Sequence, residues 1–372
     1  VWEVTVSDAR ASRLRGVAEH PYTQGQLCPK VNRLLDRVYH PERLLHPLRR
    51  TGPKGSGSFE RIDWDEAIQT IADRLSSVAD VYGPEAILQY SFAGTQGEIQ
   101  KGVVADRFFD VLGASDVRRH LCGTTSNLGM SDVYGDRFGI DPEDIALAGT
   151  VILWGTNTLL TNRHLWPTIQ KAKASGAIVI VIDPIHTQTA AAPEIDQFFQ
   201  VRPGSDVALV LAMINVMERE SLLDEQWLEE HTSGWDQLRE SAMAMTLEQA
   251  ASATGVEAAR IEWLARTYAT NRPAAIRTLI GPEHREFGRD IVRSIAMLPA
   301  VTGAWRDVGG GLARSTHVYS GRALKSIERV SRREFNMARL GEVLNDRSID
   351  PPINSLVVHN SNPAVIAPAQ NS

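Results

Sequence analysis

The sequence predicts an α/β fold, a doubly wound parallel sheet accompanied by a second, discontinuous α/β domain and a small irregular N-terminal segment. Three observations predict it. The runs VILWG (151–155) and AIVIVID (177–183) are continuously apolar, as strands covered on both faces are. A helical pattern over 165–175 bridges them, which is the order of a βαβ unit. A third short strand at 198–201 then leads into a long apolar helix over 206–218, so the alternation repeats.

The other elements follow in chain order. The first fifty residues are rich in Arg, His and Pro with little periodicity, and the turn-rich stretch 51–58 closes them; they read as an irregular unit and a linker. An amphipathic helix is predicted over 64–81 with Asp63 as its N-cap, followed by a buried strand over 86–91. Helices are expected near 224–231, 256–270 and 286–301, and strands at 275–280 and 355–359. The predicted domains are 1–50, then 119–270 as a Rossmann-like dinucleotide-binding domain, inserted into an α/β cofactor-binding domain formed by 51–118 and 271–372.

With 372 residues and 43% hydrophobic content the chain can bury a sizeable core. Its 39 basic and 45 acidic residues are interspersed, without the basic runs of a nucleic-acid surface, so small molecules are the expected partners. No apolar stretch approaches the roughly 18 residues of a membrane span, and no secretory signal pattern is visible; a cytoplasmic location is expected. The two cysteines, Cys28 and Cys122, provide neither a disulfide framework nor a self-contained zinc site.

In open α/β sheets, ligands sit beyond the carboxyl ends of the strands. Trp154, Gly155, Thr156 and Asn157 end the first strand, Asp183 ends the second with Thr187 and Thr189 beyond it, and Arg202, Gly204 and Asp206 lie in the RPGSD turn after the third. A strand-end acid such as Asp183 suits a ribose hydroxyl, and Asp206 can accept two hydrogen bonds from the N1–H and N2–H₂ edge of guanine. Singly, each acid also reads as an ordinary strand-end or helix-cap residue. The GxGxxG fingerprint is absent, which disfavours a standard nicotinamide site.

The stretches LCPK (27–30), YHPERLLHPLRR (39–50), WDEA (64–67), CGTTSN (122–127), WGTN (154–157), IDP (182–184), RPGSD (202–206), LPAVTGAWRDVGGG (298–311) and HNSNPA (359–364) come in an order that resembles the molybdopterin oxidoreductases, the dimethyl sulfoxide reductase family. The resemblance implies a molybdenum centre carrying two molybdopterin guanine dinucleotides. It also implies that Gly155, Thr156, Asn157, Asp183, Arg202, Gly204 and Asp206 hold one dinucleotide, and that Asn360, Ser361 and Asn362 contact pterin or phosphate atoms near the metal. Without the neighbouring motifs, the last three read as an Asn-rich turn before Pro363.

By the same resemblance Cys122 is the molybdenum ligand, a soft thiolate in a Gly, Thr and Ser-rich loop, with Ser126 and Thr125 as substitutes. A buried free cysteine is the alternative. Gly123, where formate dehydrogenases of the family carry His, makes formate a weaker substrate guess. Cys28 resembles the last of four cysteines binding a [4Fe–4S] cluster, with Lys30 between cluster and pterin. The cluster would be incomplete here, which implies a piece lacking both ends of a catalytic subunit, with 1–50 a remnant of the cluster domain; a cluster-free variant is the alternative. His284, Arg285 and His120 are candidates for the substrate channel, or else polar loop residues. The implied function is molybdenum-dependent oxygen-atom or hydride transfer, with an electron-transfer partner subunit. Rival readings are a non-catalytic electron-transfer or scaffold subunit, a non-redox hydratase on the same cofactor, and a plain nucleotide-binding α/β enzyme.

Overall fold

The computed structural model describes residues 1–94, 104–314, 331–369 and 371, and divides them between two compact units. The first comprises Val1–Asp36 and Gly123–Tyr319, the second Arg37–Cys122 and Ser320–Ser372.

The first unit is organised by five parallel strands: β1 (Thr150–Trp154), β2 (Ile178–Ile182), β3 (Gln197–Phe199), β4 (Ala274–Thr278) and β5 (Gly311–Ala313). Their spatial order is β5-β4-β1-β2-β3. The chain therefore winds outward from β1 in one direction and then returns to wind outward in the other, so the order reverses between β1 and β4. Five helices cover this sheet or cross its ends: α1 (Thr124–Tyr134), α2 (Trp166–Ala174), α3 (Asp206–Arg219), α4 (Ala258–Thr270) and α5 (Gly288–Val301).

Strand alternation divides the buried side chains into two layers. Ile152, Trp154, Ile180, Ile182, Ala274 and Ile276 pack with α3, α4 and α5 on one face. Val151, Leu153, Val179, Val181 and Ala275 pack with Leu165, Trp166, Ile169 and Ala172 on the other. Coverage of both faces explains why these strands are apolar without interruption.

In the second unit, Ser355–His359 pairs in parallel with Ile87–Ser91, and Glu334–Asn336 with Asp116–Arg118. A single bridge, Leu88 to Ser115, links the two pairs. The helix Trp64–Tyr82 begins as expected, with the Asp63 carboxylate accepting the Glu66 N–H at 2.7 Å.

Four expectations change. The supposedly irregular N-terminus contains an antiparallel hairpin, Trp2–Ser7 with Arg10–Gly16, whose first strand alternates Trp2, Val4 and Val6 with Glu3, Thr5 and Ser7 although every residue of it is exposed. The stretch 51–58 is the loop of a second hairpin, Leu48–Arg50 with Phe59–Arg61, not a domain linker. Residues 271–314, assigned from sequence to the discontinuous domain, belong to the first unit, because β4 hydrogen-bonds directly to β1 and β5. The loop expected around 122–127 gives way to α1 at Thr124.

α1 forms despite its Gly, Thr and Ser content because it packs closely on α5. A Cβ on Gly129 would lie 2.5 Å from the Arg289 carbonyl oxygen and 3.0 Å from the Arg293 nitrogen, so only glycine permits the approach. Gly129→Val is expected to destabilise the protein by about 1–3 kcal/mol through overpacking. Urea unfolding checks this, since the midpoint should fall with little change in slope.

Candidate cofactor site

At the carboxyl ends of β1 and β4 two loops meet. Gly155 has φ +60°, and a Cβ there would fall 2.6 Å from Pro282. A Cβ on Gly281 would fall 2.3 Å from the Gly155 carbonyl oxygen. Both glycines are thus required for the loops to touch where the strand order reverses, the place where open α/β sheets bind ligands.

Around this point the structure sorts the predicted residues by what they already do. Trp154 is a core side chain, 1% exposed, and its indole N–H donates to Asp206 Oδ1 at 2.8 Å. Its part is to orient Asp206 at the first turn of α3. Asn157 Oδ1 accepts from the Thr189 hydroxyl at 2.7 Å, and Thr189 Oγ1 accepts the Leu159 N–H at 3.0 Å, which ties the loop after β1 to the segment after β2. Thr156 is buried and shares a hydroxyl hydrogen bond with Thr158. Arg202 is exposed and donates to the Ser252 carbonyl. Gly204, at φ +85°, lies against the Arg285 guanidinium, which overlaps the position a Cβ would take.

Asp183 and Asp206 are 8% and 7% exposed. Burial pushes both carboxyls above the ordinary 3.8, and neither has a salt-bridge partner among the described residues. Asp183 accepts the Ile185 N–H at 2.9 Å, and Arg285 lowers the Asp206 pKa only in part. Each carboxylate keeps acceptor capacity beyond these bonds. Two desolvated acids, one at a strand end and one at the first turn of α3, can accept hydrogen bonds from hydroxyl or N–H donors of a ligand.

Because burial raises the Asp206 pKa, ionisation opposes folding. The penalty is absent below the unfolded-state value of about 4 and present once pH exceeds the folded-state value. In cofactor-free protein, Asp206→Asn should raise the thermal midpoint at pH 7, and the difference from the parent should vanish toward about pH 4. A variant less stable than the parent at neutral pH would contradict the reading that burial of the Asp206 carboxylate opposes folding.

The ligand candidates near α1 divide as well. Cys122 is exposed and Cys28 half-buried, and the residues around neither form a metal-binding group among the described residues. Lys30 is exposed, one residue into the short helix Pro29–Asn32. Thr125 is half-buried in the first turn of α1. Ser126 is unsuited to metal ligation here: it is fully buried, and its hydroxyl donates to Glu283 Oε2 at 2.6 Å and accepts from Arg314. Glu283 and Arg314 form an ion pair at 2.7 Å with side chains 1% and 2% exposed. Sequence reasoning missed this pair. The signal was present, since Glu283 precedes His284 and Arg314 follows the GGG turn, but their separation in sequence hides the partnership.

His284 and Arg285 are exposed in the loop after β4, and within this unit Arg285 serves the RPGSD turn. In the second unit, His120 is half-buried with its N–H directed at the Met337 sulfur, 3.2 Å away. Asn360 has φ +48°, and its carbonyl oxygen accepts the Gly94 N–H at 2.7 Å. Asn362 is exposed, whereas the Ser361 hydroxyl is buried without a hydrogen-bond partner among the described residues, an open position of the kind a ligand atom fills.

The described residues contain no helix long and apolar enough to cross a membrane. Comparison with known proteins places these features in a family. The sequence profile of the molybdopterin oxidoreductases matches residues 43–359. The probable oxidoreductase YoaE of Bacillus subtilis is 39% identical over 98% of this chain and 54% of its own length. Dimethyl sulfoxide reductase DmsA of Haemophilus influenzae is 33% identical over 80% of this chain and 41% of its own. The chain thus spans about half the length of such relatives or less. Acetylene hydratase from Pelobacter acetylenicus shares the fold with a TM-score of 0.67 and 27% identity, over 82% of this chain and 42% of that one. On this evidence the chain belongs to the molybdopterin oxidoreductase family.

Proposed function

We propose that the chain is the cofactor-holding part of a molybdenum-dependent oxidoreductase that carries a bis-molybdopterin guanine dinucleotide centre. The observation that supports this most is the pair of buried acids, Asp183 and Asp206, beside the glycine contact at the strand-order reversal. Asp206, aimed by the Trp154 indole, would accept the guanine edge, and Asp183 a ribose hydroxyl. Gly155 and Gly204 let backbone approach the dinucleotide, with Thr156, Asn157 and Arg202 bracing the loops around it. Asn360, Ser361 and Asn362 would meet the pterin side of the cofactor, where the partnerless Ser361 hydroxyl is available to donate.

Cys122 would ligate molybdenum, being an exposed thiol one residue before the Gly123 N-cap of α1. When bound, the metal centre supplies two-electron chemistry for oxygen-atom or hydride transfer. His284 and Arg285 are suited by exposure and charge to proton transfer and anion binding. Cys28 would supply one thiolate to a [4Fe–4S] cluster that passes electrons to a partner subunit, with Lys30 between that cluster and the pterin. A hydratase on the same cofactor is the second reading, favoured by the likeness to acetylene hydratase.

Protein from the complete reading frame, made in a host that synthesises the cofactor, is expected to release about two GMP per molybdenum on acid treatment. Absence of both metal and GMP would leave a scaffold subunit or a simple nucleotide binder. Cys122→Ala should retain GMP while turnover with a dye electron donor falls to background. Undiminished dye-linked turnover in that variant would remove Cys122 from the metal, and hydration without dye turnover in the parent would favour the second reading.

A further inference from the structure

Strand β4 is buried at every position, yet its fourth residue is an arginine. Arg277 is 8% exposed. Its guanidinium makes one hydrogen bond among the described residues, from Nη1 to the Ala313 carbonyl at 3.2 Å, and its Nε is buried without an acceptor. No carboxylate pairs with it there; the charged or ionisable groups acting on it are Tyr22 and the nearby Arg314 cation. Burial pulls its pKa down to about 10, which still leaves it charged at neutral pH. A buried cation is normally paired, and among the described residues this one is not.

Its surroundings are short of partners as well. Tyr22 donates its hydroxyl to Asn162 Oδ1 at 3.1 Å and sets its ring 6.2 Å from that of His164, whose Nδ1 is buried without a hydrogen bond. Arg277 itself stands near the carboxyl end of the strand that flanks the reversal of strand order, where Gly155 and Pro282 bring the loops together.

We propose that Arg277 receives a phosphate oxyanion at this strand end and, resting on the cofactor reading above, that the oxyanion is the pyrophosphate of the guanine dinucleotide. A guanidinium presents parallel N–H donors that match two oxygens of one phosphate group, and its charge offsets what the desolvated site otherwise leaves unbalanced. Asp206 and Arg277 then divide the work: the acid takes the donor-bearing base, and the cation takes the acceptor-bearing phosphates. A free oxyanion such as inorganic phosphate has the same chemistry, and the test separates the two.

The protein for the test is the complete reading frame, made in a host unable to synthesise the cofactor. Titration calorimetry with GDP and with inorganic phosphate compares the parent with Arg277→Gln, Arg277→Lys and Asp206→Asn. Arg277→Gln is expected to weaken GDP binding about tenfold or more, as loss of a charge-assisted hydrogen bond does, and Arg277→Lys less, because it keeps the charge. The thermal midpoint of ligand-free Arg277→Gln should stand at or above that of the parent, since an uncompensated buried cation has been removed.

If Asp206→Asn leaves GDP binding unchanged while Arg277→Gln abolishes phosphate binding, the anion site stands and the guanine reading fails. GDP and phosphate affinities unchanged in both Arg277 variants overturn the anion site, whatever Asp206→Asn does. A lowered midpoint in Arg277→Gln with GDP binding intact would assign Arg277 to the fold alone and also overturn it.

Discussion

The reversal of strand order between β1 and β4 is the constraint on which the rest of the first unit depends. Parallel strands release all their following loops on one edge, and the loops after β1 and β4 then leave toward opposite faces of the sheet. The two must nonetheless pass close together where they start. Gly155 and Gly281 allow this, because a side-chain carbon at either would collide with Pro282 or with the Gly155 carbonyl. What remains beside the contact is a crevice floor made of backbone, flanked on one face by Asp206 and on the other by Arg277.

This arrangement also explains why the buried charges near it fall into two kinds. Glu283 and Arg314 satisfy each other, and they hold the buried Ser126 at the first turn of α1 to the loop after β4. Such a pair adds little net stability over an apolar replacement but is costly to split, so it fixes one geometry. Asp183, Asp206 and Arg277 are different, because none of them has an opposite charge in contact among the described residues. The first kind holds the frame, and the second leaves binding capacity in it.

Most of the sheet was legible in the sequence because strands buried on both faces are apolar without interruption, as in VILWG and IVIVI. The Asp63 cap was legible for the opposite reason, since capping is a local interaction. What could not be read was long-range. Nothing local tells that Ala274–Thr278 pairs with Thr150–Trp154 rather than with the second unit, so the boundary at 271 was misplaced. α1 was hidden by a loop-like composition that tertiary packing overrides, through Gly129 against α5. The hairpin Trp2–Ser7 and Arg10–Gly16 was legible in part, since WEVTVS alternates apolar and polar residues as a strand does, even though the fold leaves that strand exposed.

The candidate site followed the same division. WGTN and RPGSD were found because they sit at strand ends, but their internal bonds were not predictable: Trp154 orients Asp206, and Asn157 is occupied by Thr189. Arg277 belongs to none of these motifs, although a cation within a mostly apolar strand is itself a signal. Its meaning depends on what lies beside it in space, and there the structure finds a tyrosine and a second arginine, not an acid. A group that weakens the empty fold is retained more readily when a ligand completes it, because binding to the native state alone raises stability by mass action. For a ligand with a neutral, donor-bearing base and negatively charged phosphates, an acid and a cation on either side of one crevice are the placement that obtains both gains together.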